Sequence, residues 1–426
     1  MRKDLAELFT SRAFWLLLLF VGLLTGQSFI SAVDAYAEAS GIGGGAAALA
    51  QGLSPLDGIL VPTAGAYDLA IMLLFPFVAI RLIASEKSSG AWKLMLQWPV
   101  KMRDHLLSKF VALLVAWLIA LVPFAIAIAL WLSYGGHLDA RETLNLLFGY
   151  TLRYMLTASV AVAAAALMPG AANAAVVVLG LTIGTWALDF LAAGRGGFVQ
   201  KLASFTPAAT VRMFERGLLR LDAVLILLLL SLLAFAIAGI ALDPLRKRFS
   251  VSIVIIAVAI ALATQVRTSF DVSENRRNSF SAADERVLAS IREPLTITVF
   301  LAAEDPRMND YENNVLLKLR RAMPRLHVRY PYSGQSALFE NDERYGEIHY
   351  RLGAKTAVNR STTEEIVLET IDTLAAVERR PLPAAESSEY PGYPLAKRPV
   401  GAAWIFYLAW PIAVITACRP RTRRTG

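Results

Sequence analysis

Side chains that could carry catalysis are few in this sequence and lie far apart. The four histidines, His105, His137, His327 and His349, fall in different predicted loops and strands, with His105 beside Asp104 at a charged loop edge. None has a carboxylate or cysteine at metal-ligand spacing, so the sequence predicts no metal site. The only cysteine excludes an intrachain disulfide and a multi-cysteine zinc site. We therefore expect no enzymatic activity from this chain.

The sequence also lacks the glycine-rich loop with which many proteins bind ATP. No G-x-x-x-x-G-K-[ST] occurs: the glycines of residues 41–45 are followed by no lysine, and residues 194–201 have the wrong spacing. No G-x-S-x-G nucleophile elbow is present either. We expect this chain to hydrolyse no ATP by that route and to bind no cofactor.

One stretch has the composition of a docking segment. Residues 86–100, EKSSGAWKLMLQWPV, form a charged amphipathic interruption between two apolar runs. Trp92, Leu94 and Leu96 would give a short helix an apolar side, and Glu86 and Lys87 could make ionic contacts with a partner. The alternative is an ordinary cytoplasmic loop whose lysines only fix topology, and composition alone leaves the two interpretations even.

Besides Arg81, near the inner end of the second predicted span, three charged residues fall inside predicted membrane spans, where charged side chains are functional candidates by default. These are Asp68, Arg153 and Asp189, all in the outer halves of their helices. Arg153 lies deepest and could pair with Asp189 or with Asp68. We favour a structural ion pair over a substrate contact because a deeply buried charge needs a partner.

Composition identifies the elements that must position these residues. Of 426 residues, 56% are hydrophobic and only 18% charged, too apolar for a soluble globule. A membrane span needs about 20 apolar residues. The sequence predicts eight spans near residues 13–33, 64–84, 110–132, 144–167, 174–191, 223–242, 249–266 and 400–418, with Pro169-Gly170 breaking a long apolar run. The first is interpreted as a retained anchor rather than a cleaved signal peptide.

Basic residues set the topology. Arg246, Lys247 and Arg248 follow the sixth span, and four arginines form a basic tail at 419–426, so both termini are predicted to be cytoplasmic in a bacterial-type inner membrane. Residues 269–398 contain 18 Lys and Arg against 20 Asp and Glu, which leaves 24 against 14 elsewhere. The basic excess therefore belongs to the membrane part and its flanks, and we expect contact with lipid but not with nucleic acid.

The segment before the sixth span is basic although alternation places it outside. Thr206 and Pro207 form an N-cap and N1 pair, and Gly217 is a helix stop. Phe214 and Arg216 lie on the short amphipathic helix between them. We predict that this helix lies in the outer membrane interface.

Residues 269–378 have the pattern of a small extracytoplasmic α/β domain between the seventh and eighth spans. Predicted helices cover 282–291, 310–323 and 362–377, and predicted strands cover 295–301, 325–330, 347–352 and 354–359. Residues 379–399 look like a linker. By fold analogy alone, a ligand or partner could bind at the carboxyl edge of the strands.

The first 248 residues resemble the permease of type-2 ABC transporters, including the gliding-motility-associated permeases. The residues that carry the resemblance after helix two are Glu86, Lys87, Gly90, Leu94, Pro99, Val100 and Lys109. Residues 204–221 are similar to that family's loop before helix six. The resemblance implies a six-helix permease domain whose residues 86–100, including Trp92, contact a separate ATPase that binds ATP and Mg.

The second half resembles the N-terminal domain of the auxiliary protein that accompanies those permeases. The matching runs are Phe270-Asp271-Val272-Ser273, Asn278-Ser279-Phe280-Ser281 and residues 293–301, EPLTITVFL. This resemblance implies an auxiliary domain fused to the permease.

Together these patterns predict a mainly α-helical polytopic membrane protein that serves as the permease subunit of an ABC exporter. The division is 1–248 permease, 249–268 seventh span, 269–378 α/β domain, 379–399 linker, 400–418 eighth span and 419–426 tail. Expected partners are an ABC ATPase dimer, a second permease copy or paralogue, and an additional auxiliary membrane protein. The alternative is a membrane-anchored scaffold or binding protein of an envelope complex, acting through its extracytoplasmic domain.

Overall fold

The computed structural model describes residues 2–41, 54–92, 102–192, 198–242, 247–266, 268–302, 305–332, 343–377, 393–395 and 400–418. The chain divides into two compact units. The first contains Met1–Gly184, Arg220–Thr268 and Tyr390–Gly426, and the second contains Thr185–Leu219 and Ser269–Glu389. Residues 185–219, which the sequence assigned to the permease, thus belong to the same unit as the α/β domain.

Except for the short, charged first helix, the helices of the first half are apolar. In chain order they are α1 (Arg2–Thr10), α2 (Arg12–Ala39), α3 (Val61–Ser88, preceded by the π-helical turn Leu56–Leu60), α4 (Met102–Ala120), α5 (Val122–Ser133), α6 (Ala140–Leu167) and α7 (Ala171–Ala192). The second predicted span therefore begins about eight residues earlier than expected. Pro62 lies in the first turn of α3, where its missing N–H costs no helix hydrogen bond.

Local signals set several of these boundaries. The side chain of Asp139 accepts hydrogen bonds from the backbone N–H of Arg141 (2.8 Å) and Glu142 (2.9 Å), and so begins α6 four residues before the predicted start. The predicted break at Pro169-Gly170 is confirmed, because α6 ends at Leu167 and α7 begins at Ala171.

Among the described residues, six helices are long and apolar enough to cross a membrane. They are Arg12–Ala39, Leu56–Ser88, Asp104–Ser133, Ala140–Leu167, Ala171–Ala192 and Leu221–Leu242. The predicted seventh and eighth spans correspond to the shorter apolar helices Val251–Ala263 and Ala402–Cys418. The structure therefore supports six spans by length and composition, and the count of eight stays a prediction.

The C-terminal helix packs against α2. It consists of α16 (Ala402–Trp404), the π-helical turn Ile405–Ala409 and α17 (Trp410–Cys418). A Cβ atom on Gly22 would lie 2.0 Å from Trp410 Nε1, and one on Gly26 would lie 2.3 Å from Phe406 Cβ. The two glycines therefore form a groove that the aromatic side chains fill, in the manner of close-packed membrane helices.

Hydrogen bonds join α2 to the C-terminal segment at both ends of this groove. Trp410 Nε1 donates to the carbonyl oxygen of Leu18 (2.9 Å), and Tyr36 Oη donates to that of Tyr393 (2.8 Å). The backbone N–H of Leu395 donates to Ser40 Oγ at 3.0 Å. Part of the predicted linker is therefore packed against α2, whereas 378–392 and 396–399 lie outside the described residues.

The remaining elements before the α/β domain are short, except for two apolar helices. They are α8 (Phe198–Ala203), α9 (Pro207–Glu215), β1 (Leu218–Arg220), α10 (Leu221–Leu242), α11 (Lys247–Ala263) and β2 (Ser269–Asp271). Strands β1 and β2 pair as a two-stranded ribbon.

The domain that follows contains a four-stranded mixed sheet in the order β4-β3-β5-β6. Its elements are α12 (Ala282–Ser290), β3 (Leu295–Val299), α13 (Pro306–Tyr311), the π-helical turn Glu312–Leu316, α14 (Leu317–Ala322), β4 (Leu326–Arg329), β5 (Ile348–Leu352), β6 (Lys355–Asn359) and α15 (Glu364–Ala375). Strand β4 is parallel to β3, β5 is antiparallel to β3, and β6 is antiparallel to β5. Alternate residues of β3, Leu295, Ile297 and Val299, are buried in one hydrophobic core.

A candidate coupling site at the helix ends

Glu86, the first residue of the predicted docking segment, lies in the last turn of α3 and is buried, with 2% of its surface exposed. Its Oε1 accepts a hydrogen bond from Lys109 Nζ at 2.7 Å. The same ammonium donates to Asp4 Oδ1, also at 2.7 Å. Lys109 is fully buried, so one cation joins the carboxylates of α1 and α3 to α4.

Three further polar side chains surround this centre. His105 Nε2 lies 3.0 Å from Glu86 Oε2, Lys3 Nζ lies 3.3 Å from Glu86 Oε1, and Ser108 Oγ donates to Asp4 Oδ2 at 2.8 Å. We call Asp4, Glu86, His105 and Lys109 the charged cluster. His105 and Lys109 are four residues apart on α4, so both face the same carboxylate.

The cluster satisfies charges that would be costly alone. A carboxylate at the C-terminal end of a helix opposes the helix dipole, and burial adds a desolvation penalty, so Glu86 needs its cationic partners. Burial also raises the pKa of the Asp4 carboxyl, but hydrogen bonds from Lys109 and Ser108 outweigh it and hold that pKa well below its usual range. Asp4 is therefore charged at neutral pH, and Lys109 Nζ lies between its carboxylate and that of Glu86.

Lys87 joins a fourth helix to this site. Its ammonium donates to the carbonyl oxygens of Ala165 (3.1 Å), Ala166 (2.9 Å) and Met168 (2.7 Å) at the end of α6. The last carbonyls of a helix have no intrahelical donor and carry partial negative charge, so a lysine there is favourable.

The docking segment leaves α3 through Gly90. Ser89 is the C-cap, and Gly90 has φ +73°, the left-handed conformation that commonly ends a helix. No described atom lies within 4 Å of the position that a Cβ on Gly90 would occupy. The ring of Trp92 lies 5.5 Å from the His105 ring. Leu94 and Pro99 fall outside the described residues.

The ionic role predicted for the start of the segment differs from what the structure shows. Glu86 and Lys87 are both engaged inside the chain, because each lies at a helix end where a neighbouring helix supplies the opposite charge or dipole. The placement of His105 at a loop edge was also wrong: it lies within α4 and contacts Glu86. Of the predicted docking residues that the structure describes, Gly90 and Trp92 have no ionic contact and are only partly buried.

The three ion-pair candidates belong to two separate ion pairs. Arg153 Nε lies 3.1 Å from Asp68 Oδ2, and both side chains are largely buried between α3 and α6. Asp189 instead pairs with Arg212 of α9. The sequence pattern does not indicate Arg212 as the partner, because only the fold brings α9 beside the end of α7.

The short helix predicted between Thr206 and Gly217 is present as α9, and its predicted boundaries are confirmed. Thr206 Oγ1 accepts from the N–H of Ala209 at 3.2 Å, Pro207 occupies the first turn, and Gly217 follows the C-cap Arg216 with φ +76°. Phe214 is fully buried in the protein. Its ring therefore packs inside the protein, and the location of α9 in the membrane interface stays a prediction.

Sequence reasoning missed Asp4 and Ser108 altogether, and found Lys109 only through the family pattern. No local spacing links Asp4 to Lys109, which lie 105 positions apart. Across the described residues, no three His, Cys, Asp or Glu side chains are grouped so that they could hold a metal ion.

The helices and the charged cluster define a multi-pass membrane protein whose helix ends are joined by buried charges. A family model described as ABC-2 family transporter protein matches residues 1–239, more than half of the chain, so the chain belongs to the ABC-2 transporter family. It is thus a transmembrane transport component, and membership implies an ABC ATPase partner. Searches of curated proteins and of solved structures found no match.

Proposed function

We propose that this chain is the permease subunit of an exporter in the cytoplasmic membrane, driven by a separate ABC ATPase dimer that acts on residues 86–100. The observation that carries the proposal is the charged cluster. It joins α1, α3 and α4 beside the point where the segment leaves α3, and Lys87 adds α6.

This arrangement suits a segment that transmits movement from the ATPase to the membrane helices. A push on a loop with loose ends would be absorbed by the loop itself. Here four helices are already joined by buried or part-buried hydrogen bonds of two lysines at 2.7–3.1 Å, so a push would move them together.

A contact surface remains although Glu86 and Lys87 are engaged in contacts within the chain. Ser88 and Ser89 are exposed, Gly90 has open space around it, and Trp92 is half-buried against His105. A partner that contacts Trp92 would therefore press on a ring in contact with the charged cluster. We propose this short surface as the described part of the ATPase docking site.

The complete transporter would contain a second permease copy or a paralogue. Helix α7 supports this, because it is the least buried of the six candidate spans. An additional auxiliary membrane protein, an extracytoplasmic location for the α/β domain and cytoplasmic termini complete the proposal. They rest on the family resemblance and on the distribution of basic residues.

A matched pair of glycine substitutions tests the docking site. Gly90 and Gly135 both follow a helix end, both have positive φ (+73° and +81°), and both have open space around a Cβ. They lie at opposite ends of the α4–α5 span, whose 30 residues correspond to about 45 Å. The chain would be co-expressed with the P-loop ATPase that we expect its neighbouring reading frame to encode, and the complex purified in detergent.

We expect Gly90→Trp to abolish co-purification of the ATPase and Gly135→Trp to leave it stoichiometric. Equal binding to both variants would contradict the docking site. A complex that retains full function with an ATPase unable to hydrolyse ATP would favour the scaffold alternative instead.

A further inference from the structure

The two-stranded ribbon of β1 and β2 lies next to the start of α10 and the end of α11, both apolar helices. β1 ends at Arg220, one residue before α10 begins, and β2 begins six residues after α11 ends. The N–H of Val272 donates to the carbonyl oxygen of Gly217 (3.0 Å). The N–H of Leu221 donates to the carbonyl oxygen of Thr268 (3.1 Å). The start of α10 and the end of α11 are thus continuous with one hydrogen-bonded ribbon.

The Arg216–Gly217 turn, which precedes β1, packs tightly against Ser273. Gly217 has φ +76°, and a Cβ there would lie 2.8 Å from Ser273 Cβ and 3.0 Å from Ser273 Cα. Any other residue would be strained and would also collide with backbone. Gly217 is therefore required by a close approach as well as by the end of α9.

The side chain of Asn278 binds the same turn. Its Nδ2 donates to the carbonyl oxygen of Arg216 at 2.6 Å. Arg321 of α14 fixes Asn278 in turn, because its guanidinium donates to the Asn278 carbonyl oxygen and to Ser279 Oγ (3.2 Å). Arg321, a residue of the four-stranded domain, thereby positions the Asn278 amide that donates to the turn.

Asp271 organises the loop that makes these contacts. Its side chain is 1% exposed and accepts hydrogen bonds from the Ser273 N–H (3.1 Å), from Ser273 Oγ and from Ser279 Oγ (2.6 Å). Arg321 adds a longer ionic contact of 3.9 Å. We call Asp271, Ser273, Asn278, Ser279 and Arg321 the turn clamp.

We infer that the turn clamp is an interaction surface whose partner is the Arg216–Gly217 turn, and that through it the four-stranded domain restrains the ribbon that begins α10. The restraint then acts on residues 216–222 and 268–273, where the chain enters α10 and leaves α11. The inference rests on the proposed function for its link to transport. It assigns the domain a mechanical role that the proposed function leaves open.

Two adjacent arginines of α14 allow a controlled test. Arg321 belongs to the clamp, whereas Arg320 pairs with Glu312 and Tyr330 within the domain. Hydrogen exchange would be measured on the full chain in lipid nanodiscs for Asn278→Ala, Arg321→Met and the control Arg320→Met. Exchange in β3 and β5 reports whether the domain itself stays folded.

We expect exchange of the 216–222 and 268–273 amides to rise about tenfold in Asn278→Ala and Arg321→Met, the equivalent of one lost hydrogen bond. Arg320→Met should leave these amides unchanged. Unchanged exchange in Asn278→Ala, or an equal rise in all three variants, would overturn the clamp.

The link to transport has its own readout. With the partner ATPase bound, opening the clamp should raise ATP hydrolysis at least about twofold, because the ribbon that begins α10 would move without this restraint. An unchanged rate in a variant whose exchange has risen would overturn the mechanical role. If no ATPase binds the unaltered chain, the proposed function fails, and the exchange experiment still decides whether the clamp restrains the ribbon.

Discussion

The charged cluster and the glycine groove of α2 join helices by opposite means. At the cluster, one buried lysine lies between two carboxylates from other helices, with each hydrogen bond at 2.7 Å. At the groove, Gly22 and Gly26 remove side-chain volume so that Trp410 and Phe406 can pack against the α2 backbone.

The difference follows from what each part of a helix offers. Helix ends carry unpaired backbone groups and dipole charge, so polar side chains find partners there. In the middle of a span the backbone is satisfied internally, and close packing supplies the attraction. Helix ends joined by charged side chains should therefore be destabilised by the loss of one charge. Helix faces joined by close packing should be destabilised by added side-chain volume.

The largest effect is expected at the centre of the cluster. Lys109→Met would leave the Asp4 and Glu86 carboxylates buried without their shared cation, at a cost of about 3–5 kcal/mol in unfolding free energy. The control is Lys3→Met, because Lys3 contacts the same Glu86 but is 61% exposed. It should cost less than about 1 kcal/mol. Equal unfolding midpoints for the two variants in detergent would show that burial does not set the strength of the cluster.

Added volume in the groove should have the next largest effect. Gly26→Leu would overlap Phe406 and cost about 1–3 kcal/mol. Gly184→Leu is the matched control, because no described atom lies within 4 Å of a Cβ at Gly184. With a protease site inserted in 378–392, the cleaved C-terminal helix should co-purify with the control and be lost from Gly26→Leu. Retention in both would contradict packing at the groove.

A smaller and local effect is expected from Lys87→Met, which removes the cation from the last carbonyls of α6. The cost should be about 1–2 kcal/mol. Amide exchange in the last turn of α6 should rise while exchange in the middle of α6 stays unchanged, and Lys87→Arg should restore much of the protection. A rise spread along the whole helix would mean that Lys87 supports the fold rather than one helix end.

The smallest effect concerns acid pH. The pKa of Asp4 is lowered in the folded chain, so its stabilisation is present above the ordinary aspartate value and is lost as pH falls below about 4 toward the folded pKa. Unfolding free energy measured between pH 7 and pH 3 should decline less steeply in Asp4→Asn than in the unaltered chain. Parallel curves would show that Asp4 contributes no pH-dependent stability.

Several features could be predicted from local sequence alone. Long apolar runs gave the six candidate spans, Pro169-Gly170 gave the break between α6 and α7, and Thr206-Pro207 with Gly217 gave the limits of α9. In the α/β domain the predicted strands overlap β3 to β6 because alternation and turn residues act over a few positions. These signals are short-range, and so is the structure that they specify.

The site itself could be predicted only in part. Glu86 and Lys87 were expected to face a partner, since a charged pair beside an apolar run has the same pattern whether it is exposed or buried. Their engagement depends on Lys109, Asp4 and the end of α6, which only the fold brings near. The groove of Gly22 and Gly26 was missed for the same reason, because its occupants lie more than 350 positions away.

The central claim is that an ATPase docks where residues 86–100 leave α3. The chain's single cysteine makes a direct measurement possible: in a Cys418→Ala background, Ser89→Cys and Ser133→Cys place one thiol at either end of the α4–α5 span, both at exposed positions. After treatment of the intact complex with a short thiol-to-amine cross-linker, the account predicts a permease–ATPase adduct from Ser89→Cys and none from Ser133→Cys. Adducts of equal yield from both positions, or an adduct from Ser133→Cys alone, would contradict it.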